Sequence, residues 1–457
     1  METLKDTVAM LPLNIKLNDI FTFNIEVPYY NWFYPLQHTI GADNTPFDHE
    51  VISLDQVKGV YIHVPFCSSL CSFCPYIRTN IHNAEMRNRY VKQLVKEIMS
   101  YQRDTKPEID CIFFGGGSPS LLSPENFVEI MNAVQKVFNV PPNCEITIEA
   151  NAMTLNPDLC SVFRDHNVTT VRIGVQSFNQ RSRELYHLKA TVDNINNAVE
   201  LARKYDIQVS LDLLFGHHGQ EFEAFLKDIE QAHNLNPDTI EIYPINLLSV
   251  PDRYWDSFLS AGLRGLSAQE RVRYFKAGCD RLTELGYHQW SGHGFARSPE
   301  FDLLYHRCVY GTLGGIVSFG PAAISFGTDY VKWNHPGIEK YIDDMDRQLT
   351  PTFQIRKTRD YELTAKKVVT ELPYYGFCHI SDNDIIPEIS DRLSELIDAG
   401  VVQQRNPKLV LSDTARYQYA SAMFYLLPEY DKKAMGREIF SHCARLGEKL
   451  TIDMLWV

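Results

Sequence analysis

Three cysteines stand at a spacing suited to iron chemistry: Cys67-Ser-Ser-Leu-Cys71-Ser-Phe-Cys74, a C-x3-C-x2-C run. Three such thiolates can each bind one iron of a cubane 4Fe–4S cluster and wrap one of its faces. The fourth iron then has no protein ligand. It is open to a chelating molecule such as S-adenosylmethionine (SAM), whose amino and carboxylate groups can both reach it. A closed four-cysteine cluster would only pass electrons. The plainer alternatives are three unrelated loop thiols, or a zinc site completed by one distant ligand. Phe73 places an aromatic ring just before the last cysteine. The remaining cysteines, at 111, 144, 160, 279, 308, 378 and 443, are scattered and read as small core residues.

A glycine run follows the next apolar stretch: Phe113-Phe-Gly115-Gly116-Gly117-Ser118-Pro-Ser. Glycines let a backbone approach a ligand closely and offer its N–H and C=O groups unobstructed. Beside the cysteine loop, Gly116, Gly117 and Ser118 would meet the methionyl end of SAM; a tight structural turn is the alternative. Glu149, Gln176 and Asp212 stand at or near the ends of later apolar stretches. Singly, each could be a polar residue capping a strand. Together they would share one rim with the cysteines.

The elements that must position these residues are visible as apolar runs at 59–65, 109–114, 145–150, 170–175, 208–215 and 239–245. Between or after them, stretches 86–101, 124–138, 193–205, 222–235 and 269–285 carry apolar residues at helical period. Ser123-Pro124-Glu125 supplies an N-cap followed by proline at the first helical position. This alternation predicts an α/β fold, a partial (β/α)6 barrel of parallel strands with helices outside. From about residue 360 the pattern changes to a helix over 381–400, a hairpin over 401–411 and an amphipathic stretch over 412–427. These suggest a winged-helix-like appendage. Three domains follow: an aromatic leader over 1–57 (Tyr29, Tyr30, Trp32, Phe33, Tyr34), the barrel with its closing segments over 58–350, and the appendage over 351–457.

The 457 residues carry a net charge of −13, which leaves no footprint for non-specific nucleic-acid binding. No stretch is long and apolar enough for a membrane span. Residues 1–16 do not read as an export signal, so the expectation is a cytoplasmic protein with reduced thiols.

From Gly59 onward the chain resembles the oxygen-independent coproporphyrinogen III oxidase-like branch of the radical SAM superfamily. The likeness is carried most specifically by 61–74, 112–122, 145–151, 174–179 and 211–220. It implies a 4Fe–4S cluster, reductive cleavage of SAM to a 5′-deoxyadenosyl radical, and an electron donor such as flavodoxin or ferredoxin. It further implies Tyr61 near SAM, Gly116 and Ser118 at its methionyl end, and Glu149, Gln176 and Asp212 around its amino-acid or ribose groups. In several members a second SAM binds beside the first. The branch includes porphyrinogen decarboxylases, haem chaperones, haem-opening enzymes, and methyltransferases and cyclopropanases.

Departures from its best-known members are informative. Pro75-Tyr76 stands where decarboxylases carry a further cysteine, and Leu188 where they carry arginine. His217-His218-Gly219-Gln220 replaces Leu-Pro-Gly-Gln, and His306-Arg-Cys-Val-Tyr310 departs from the chaperones' His-Asn-x-x-Tyr. These substitutions favour methyl or methylene transfer to a small molecule from a second SAM, with His217, His218, Tyr243 or His293 as proton acceptor. One alternative is tetrapyrrole chemistry, decarboxylation of coproporphyrinogen or opening of haem, with Arg78, Arg172, Arg297 and Arg307 as a basic entrance. The other is a haem-binding chaperone built on His306 and Tyr310.

Overall fold

The computed structural model describes residues 34–36 and 53–449. Most of the leader, including Tyr29, Tyr30, Trp32 and Phe33, lies outside the described residues. Six strands appear where the apolar runs predict them: β1 (Val57–Val64), β2 (Cys111–Gly116), β3 (Glu145–Ala150), β4 (Thr170–Gln176), β5 (Gln208–Phe215) and β6 (Thr239–Pro244). They pair in parallel in sequence order. Around them lie α1 (Ala84–Met99), α2 (Pro124–Val137), α3 (Pro157–Asp165), α4 (Gln180–Leu185), α5 (Val192–Lys204), α6 (Phe222–Asn234), α7 (Asp252–Ser260) and α8 (Ala268–Glu284).

Successive side chains of a strand point to opposite faces. Val60, Ile62, Ile112, Phe114, Ile146, Ile148, Val171 and Ile173 are all buried, and Phe114 meets Phe127 of α2. The alternate residues turn inward: Tyr61 and His63, Phe113, Glu149, Arg172, Asp212, Glu241 and Tyr243. Both faces are therefore covered, and the strands read as nearly unbroken apolar runs punctuated by polar residues on one side. Ser123 accepts from the Asn126 N–H, as the sequence predicts for the start of α2.

The ladder continues beyond the six strands without closing. β8 (Gly294–Ala296) lies antiparallel to β6, with β7 (His288–Gln289) outside it. β9 (Gly315–Phe319) lies parallel to β1. Between them α9 (Leu304–Val309) reaches into the barrel, where the Glu145 carboxylate accepts from the Leu304 N–H at 3.0 Å and the Tyr305 N–H at 3.4 Å. A second sheet of β10 (Ile324–Ser325), β11 (Tyr330–Asn334) and β12 (Thr352–Lys357) spans residue 350, so the expected boundary there falls within a shared sheet.

In the C-terminal part, α10 (Ile338–Asp346), α11 (Asp360–Lys366) and α12 (Leu372–Tyr375) lead to β13 (Phe377–His379). Then come α13 (Pro387–Asp398) and the hairpin β14 (Val402–Arg405) and β15 (Lys408–Leu411), with β13 as third strand. This is the winged-helix-like arrangement. The stretch expected as one helix over 412–427 is two, α14 (Asp413–Arg416) and α15 (Tyr419–Leu426). Every residue of α15 is buried, so an amphipathic pattern has no reason to appear there. Among the described residues, no helix is long and apolar enough to cross a membrane.

Glu145 links the third strand to a segment about 160 residues later. Replacing it with alanine should lower stability by about 2 kcal/mol, through loss of the acceptors for the Leu304 and Tyr305 N–H groups. Burial pushes its carboxyl from 4.5 up to about 7. Because the folded chain holds this proton more tightly, its stabilising contribution is complete below about pH 4.5 and is lost as pH rises to about 7. The urea midpoint of the metal-free protein should therefore fall more steeply across that window than that of Glu145→Gln.

Candidate active site at the barrel mouth

The cysteine loop begins where β1 ends and is stitched down along its length. The Cys67 N–H donates to the Thr79 carbonyl at 2.9 Å, and the Thr79 N–H to the Pro65 carbonyl at 2.8 Å, closing the loop on itself. Ser72 binds the end of α4 twice, through its N–H to the Tyr186 carbonyl and its hydroxyl to the Leu185 carbonyl, each at 2.9 Å. Phe73 packs edge-on against Tyr186 at 5.0 Å, which explains the aromatic before the last cysteine. The His63 ring reaches the Ile77 carbonyl at 2.9 Å, and Arg78 donates to the Cys71 carbonyl at 3.1 Å.

Burial pushes the Cys67 thiol up to about 11 and Cys71 up to about 12, and raises Cys74 as well. Two of these thiols also feel their neighbours, Cys67 sensing Cys74 and Cys71 sensing both. Three mutually repelling thiolates in a half-buried loop suit a site where iron replaces their protons. Among the described residues, no three His, Cys, Asp or Glu side chains converge tightly enough for a single metal ion.

The glycine run packs directly against the loop. The Gly117 N–H donates to the Val64 carbonyl at 2.8 Å and the Ser118 N–H to the Phe66 carbonyl at 2.7 Å. A Cβ on Gly117 would stand 2.7 Å from the Phe66 carbonyl oxygen and 2.8 Å from that of Val64. Gly116 has φ +108°, and its N–H donates to the Glu149 carboxylate at 3.1 Å. Burial pushes Glu149 up to about 7. Gln176 adopts φ +69°, rare for a residue with a side chain, and folds its amide over Gly174, where a Cβ would stand 2.6 Å from it. Gly116, Gly117, Ser118, Glu149 and Gln176 thus come from the ends of β2, β3 and β4, and Tyr61 and Asp212 from the inward faces of β1 and β5.

Deeper in the barrel a charged network centres on Arg172. It donates to Asp212 at 2.8 Å and Tyr243 at 2.7 Å and lies 3.0 Å from Glu241. The Tyr243 hydroxyl also donates to Glu241. One guanidinium cannot neutralise two buried carboxylates equally. Arg172 holds Glu241 well below the usual carboxylate range, while burial pushes Asp212 up to about 6. Glu241 is met by His293 at 3.4 Å, and His293 by the hydroxyls of Tyr419 at 3.2 Å and Tyr374 at 3.4 Å. Beside this network Tyr61, Phe113 and Tyr305 stack at 4.3–6.2 Å.

Of the expected proton acceptors, Tyr243 and His293 are in this network and His217 and His218 are not. His217 sits 3.0 Å from the Ser182 hydroxyl and 2.8 Å from the His218 carbonyl, between Tyr186 and Phe258. His218 meets the Tyr254 hydroxyl at 3.1 Å. These rings fasten the turn after β5 beneath α4 and α7, and burial lowers both to about 4. His306 is buried too, 3.1 Å from the Tyr374 hydroxyl and stacked on Trp290. The arginines expected at an entrance are all engaged: Arg172 as described, Arg297 with the Pro237 carbonyl, Arg307 with Asp302, and Arg78 with the cysteine loop.

The residues missed by sequence reasoning are Glu241, Tyr305, Tyr374 and Tyr419. Glu241 carried a signal, a carboxylate inside an apolar run two residues before Tyr243.

Residues 61–232 match the Radical SAM superfamily. Anaerobilin synthase of Escherichia coli O157:H7 is 29% identical over 258 residues, 55% of this chain and 57% of that protein. Oxygen-independent coproporphyrinogen III oxidase of Helicobacter pylori is 29% identical over 346 residues, 71% of this chain and 74% of that protein. The solved structure of coproporphyrinogen III oxidase from Escherichia coli shares the fold, with TM-score 0.73 at 19% identity over 88% of this chain and 97% of the other. Residues 61–232 thus carry a radical SAM domain, and the chain is similar to relatives of the oxygen-independent coproporphyrinogen III oxidase-like branch. Radical SAM enzymes work with a 4Fe–4S cluster and SAM. None of the relatives named here is a methyltransferase, so the expectation of methyl transfer gains nothing from them.

Gly117→Ala should push the glycine strand off the cysteine loop. After anaerobic reconstitution, iron bound per chain should fall at least several-fold in this variant and in Cys71→Ala. Far-ultraviolet circular dichroism should stay unchanged.

Proposed function

We propose that this radical SAM enzyme acts on a tetrapyrrole, with Cys67, Cys71 and Cys74 ligating the cluster and Gly116, Gly117, Ser118, Glu149, Gln176 and Asp212 around SAM. When bound and reduced, the cluster and SAM together supply a 5′-deoxyadenosyl radical able to abstract a hydrogen atom. The observation that carries the substrate class is the pair of relatives above. Their names describe different reactions, yet both concern a tetrapyrrole. The stacked Tyr61, Phe113 and Tyr305 beside the Arg172 network suit a flat, largely apolar macrocycle.

The chain's own residues have definable tasks in this reading. Glu149, titrating near neutral pH, can hold a proton while its other oxygen accepts from the Gly116 N–H, fixing the glycine backbone against its ligand. Arg172, held by Asp212 and Glu241, keeps the barrel interior charge-balanced and orients the Tyr243 hydroxyl. Tyr243, Glu241 and His293 form a hydrogen-bonded row along which a proton could move. A substrate's carboxylates would be recognised elsewhere than at Arg172, Arg297 or Arg307, which already have partners. The α9 segment and α12, carrying Tyr305 and Tyr374, close the barrel wall and exclude water from its interior.

The test is anaerobic turnover with SAM and reductant, in parallel with coproporphyrinogen III, with haem and with neither. One tetrapyrrole should raise 5′-deoxyadenosine several-fold over the blank. Carbon dioxide would mark decarboxylation, and loss of the haem absorption band would mark ring opening. Failure of both to stimulate SAM cleavage, with S-adenosylhomocysteine formed on another substrate, would restore the methyl-transfer reading. Arg297→Gln should leave the KM for the active tetrapyrrole within about twofold, since its guanidinium already serves the Pro237 carbonyl.

A further inference from the structure

Two guanidinium groups converge on one peptide carbonyl of the cysteine loop. Arg78, four residues after the last cysteine, donates to the Cys71 carbonyl at 3.1 Å and to the Tyr76 carbonyl at 2.7 Å. Arg253, on α7 and 182 residues along the chain from Cys71, donates through Nε to the same carbonyl at 3.0 Å. Both side chains are half-buried.

Unlike the arginines buried in ion pairs, neither has a counterion beside it, and both meet at one carbonyl of the cysteine loop. Arg172 and Arg356 each lie against carboxylates, Arg356 holding Glu362 through both nitrogens at 2.8 Å. Among the described residues, neither Arg78 nor Arg253 has a carboxylate at ion-pair distance. Their partners are neutral carbonyls, so their positive charge is left to act on whatever lies next to the loop. That neighbour is the thiol group set itself. Arg253 also lines an open cavity of about 660 Å³ between α4 and α7, with Arg181, Glu184, His187, Asp256 and Ser257. The outer side of the loop is therefore reached from solvent at this point.

We infer that Arg78 and Arg253 are positioning residues that make the cluster easier to reduce, by placing two uncompensated positive charges against the backbone of its central ligand. This rests on the three cysteines holding a cluster. Adding one electron makes the cluster one unit more negative. A fixed nearby cation stabilises the reduced form over the oxidised one, and more so at a half-buried site than in water. The carbonyl between the two guanidinium groups keeps them close without neutralising them, and ties α7 to the loop that must keep its shape when the charge changes.

The experiment is a spectroscopic redox titration of the anaerobically reconstituted protein, following the electron paramagnetic resonance signal of the reduced cluster. Arg253→Gln should make reduction about tenfold less favourable, a shift of about 59 mV to lower potential for a one-electron couple. Arg253→Lys, which keeps the charge and loses the planar fork, should recover at least half of that shift. Arg181→Gln, in the same cavity but off the carbonyl, should titrate like the unaltered protein. Iron content, measured on each variant, separates potential from cluster loss. Equal potentials for the glutamine variant and the unaltered protein would overturn the inference while leaving the cluster standing. So would equal shifts for glutamine and lysine, which would mean that hydrogen-bond geometry and not charge is responsible. If the unaltered protein assembles no 4Fe–4S cluster, the ligand assignment fails first and this inference falls with it.

Discussion

The structure depends on keeping three thiols together, ready to lose their protons, at a place where burial holds those protons on. A thiolate away from water is costly, and three near one another repel. The loop is accordingly pinned by backbone hydrogen bonds to its own far arm, by Ser72 to the end of α4, and by the glycine run from β2. It has no freedom to spread and relieve the repulsion. In the proposed ligand role iron would relieve it instead, and the local rigidity of the loop leaves that route open.

The barrel interior solves a related problem with the opposite sign. Arg172 is a buried cation, and its neighbours on the next two strands are Asp212 and Glu241. Strand pairing alone brings them together: Arg172 stands opposite Ser210, and Asp212 opposite Glu241. Parallel strands in sequence order thus turn a period-two pattern into a charge network with no dedicated loop. Because one cation serves two carboxylates, a proton-carrying group remains in the interior near neutral pH. An enzyme that moves hydrogen atoms and protons away from water can use such a group.

Much of this was readable from the chain. The cysteine spacing, the glycine run and the six strands are local patterns, and the strands fall within two residues of their expected limits. The Ser123 cap formed as its residue type demands. The helix α3 was overlooked although Asn156-Pro157 announces it, with Asn156 accepting from the Leu159 N–H. His217 and His218 misled for a physical reason. A histidine pair at a strand end looks chemical in sequence, but whether the rings turn into the barrel or under the helices depends on Tyr254 and Phe258, which arrive some forty residues later. Arg253 gave no signal, because its meaning lies wholly in a contact with Cys71.

The two halves of the site therefore differ in kind. The part that would hold the cluster and SAM is written mainly in short stretches from Tyr61 to Asp212, each readable by itself. The wall facing the substrate side is assembled from His293, Tyr305, His306, Tyr374 and Tyr419, whose hydroxyls and rings meet only after the chain has returned past β6 and the C-terminal helices have docked. The cysteine loop and its glycines are pinned by their own backbone hydrogen bonds, while the wall joins the SAM side at Tyr305, stacked on Tyr61 and Phe113, and at His293, bound to Glu241. A branch whose members share one way of starting a radical can thus diverge in what the radical attacks, since the two are fixed by different contacts. The same difference explains why the family was legible from local motifs while the substrate class had to be argued from relatives and from aromatic packing.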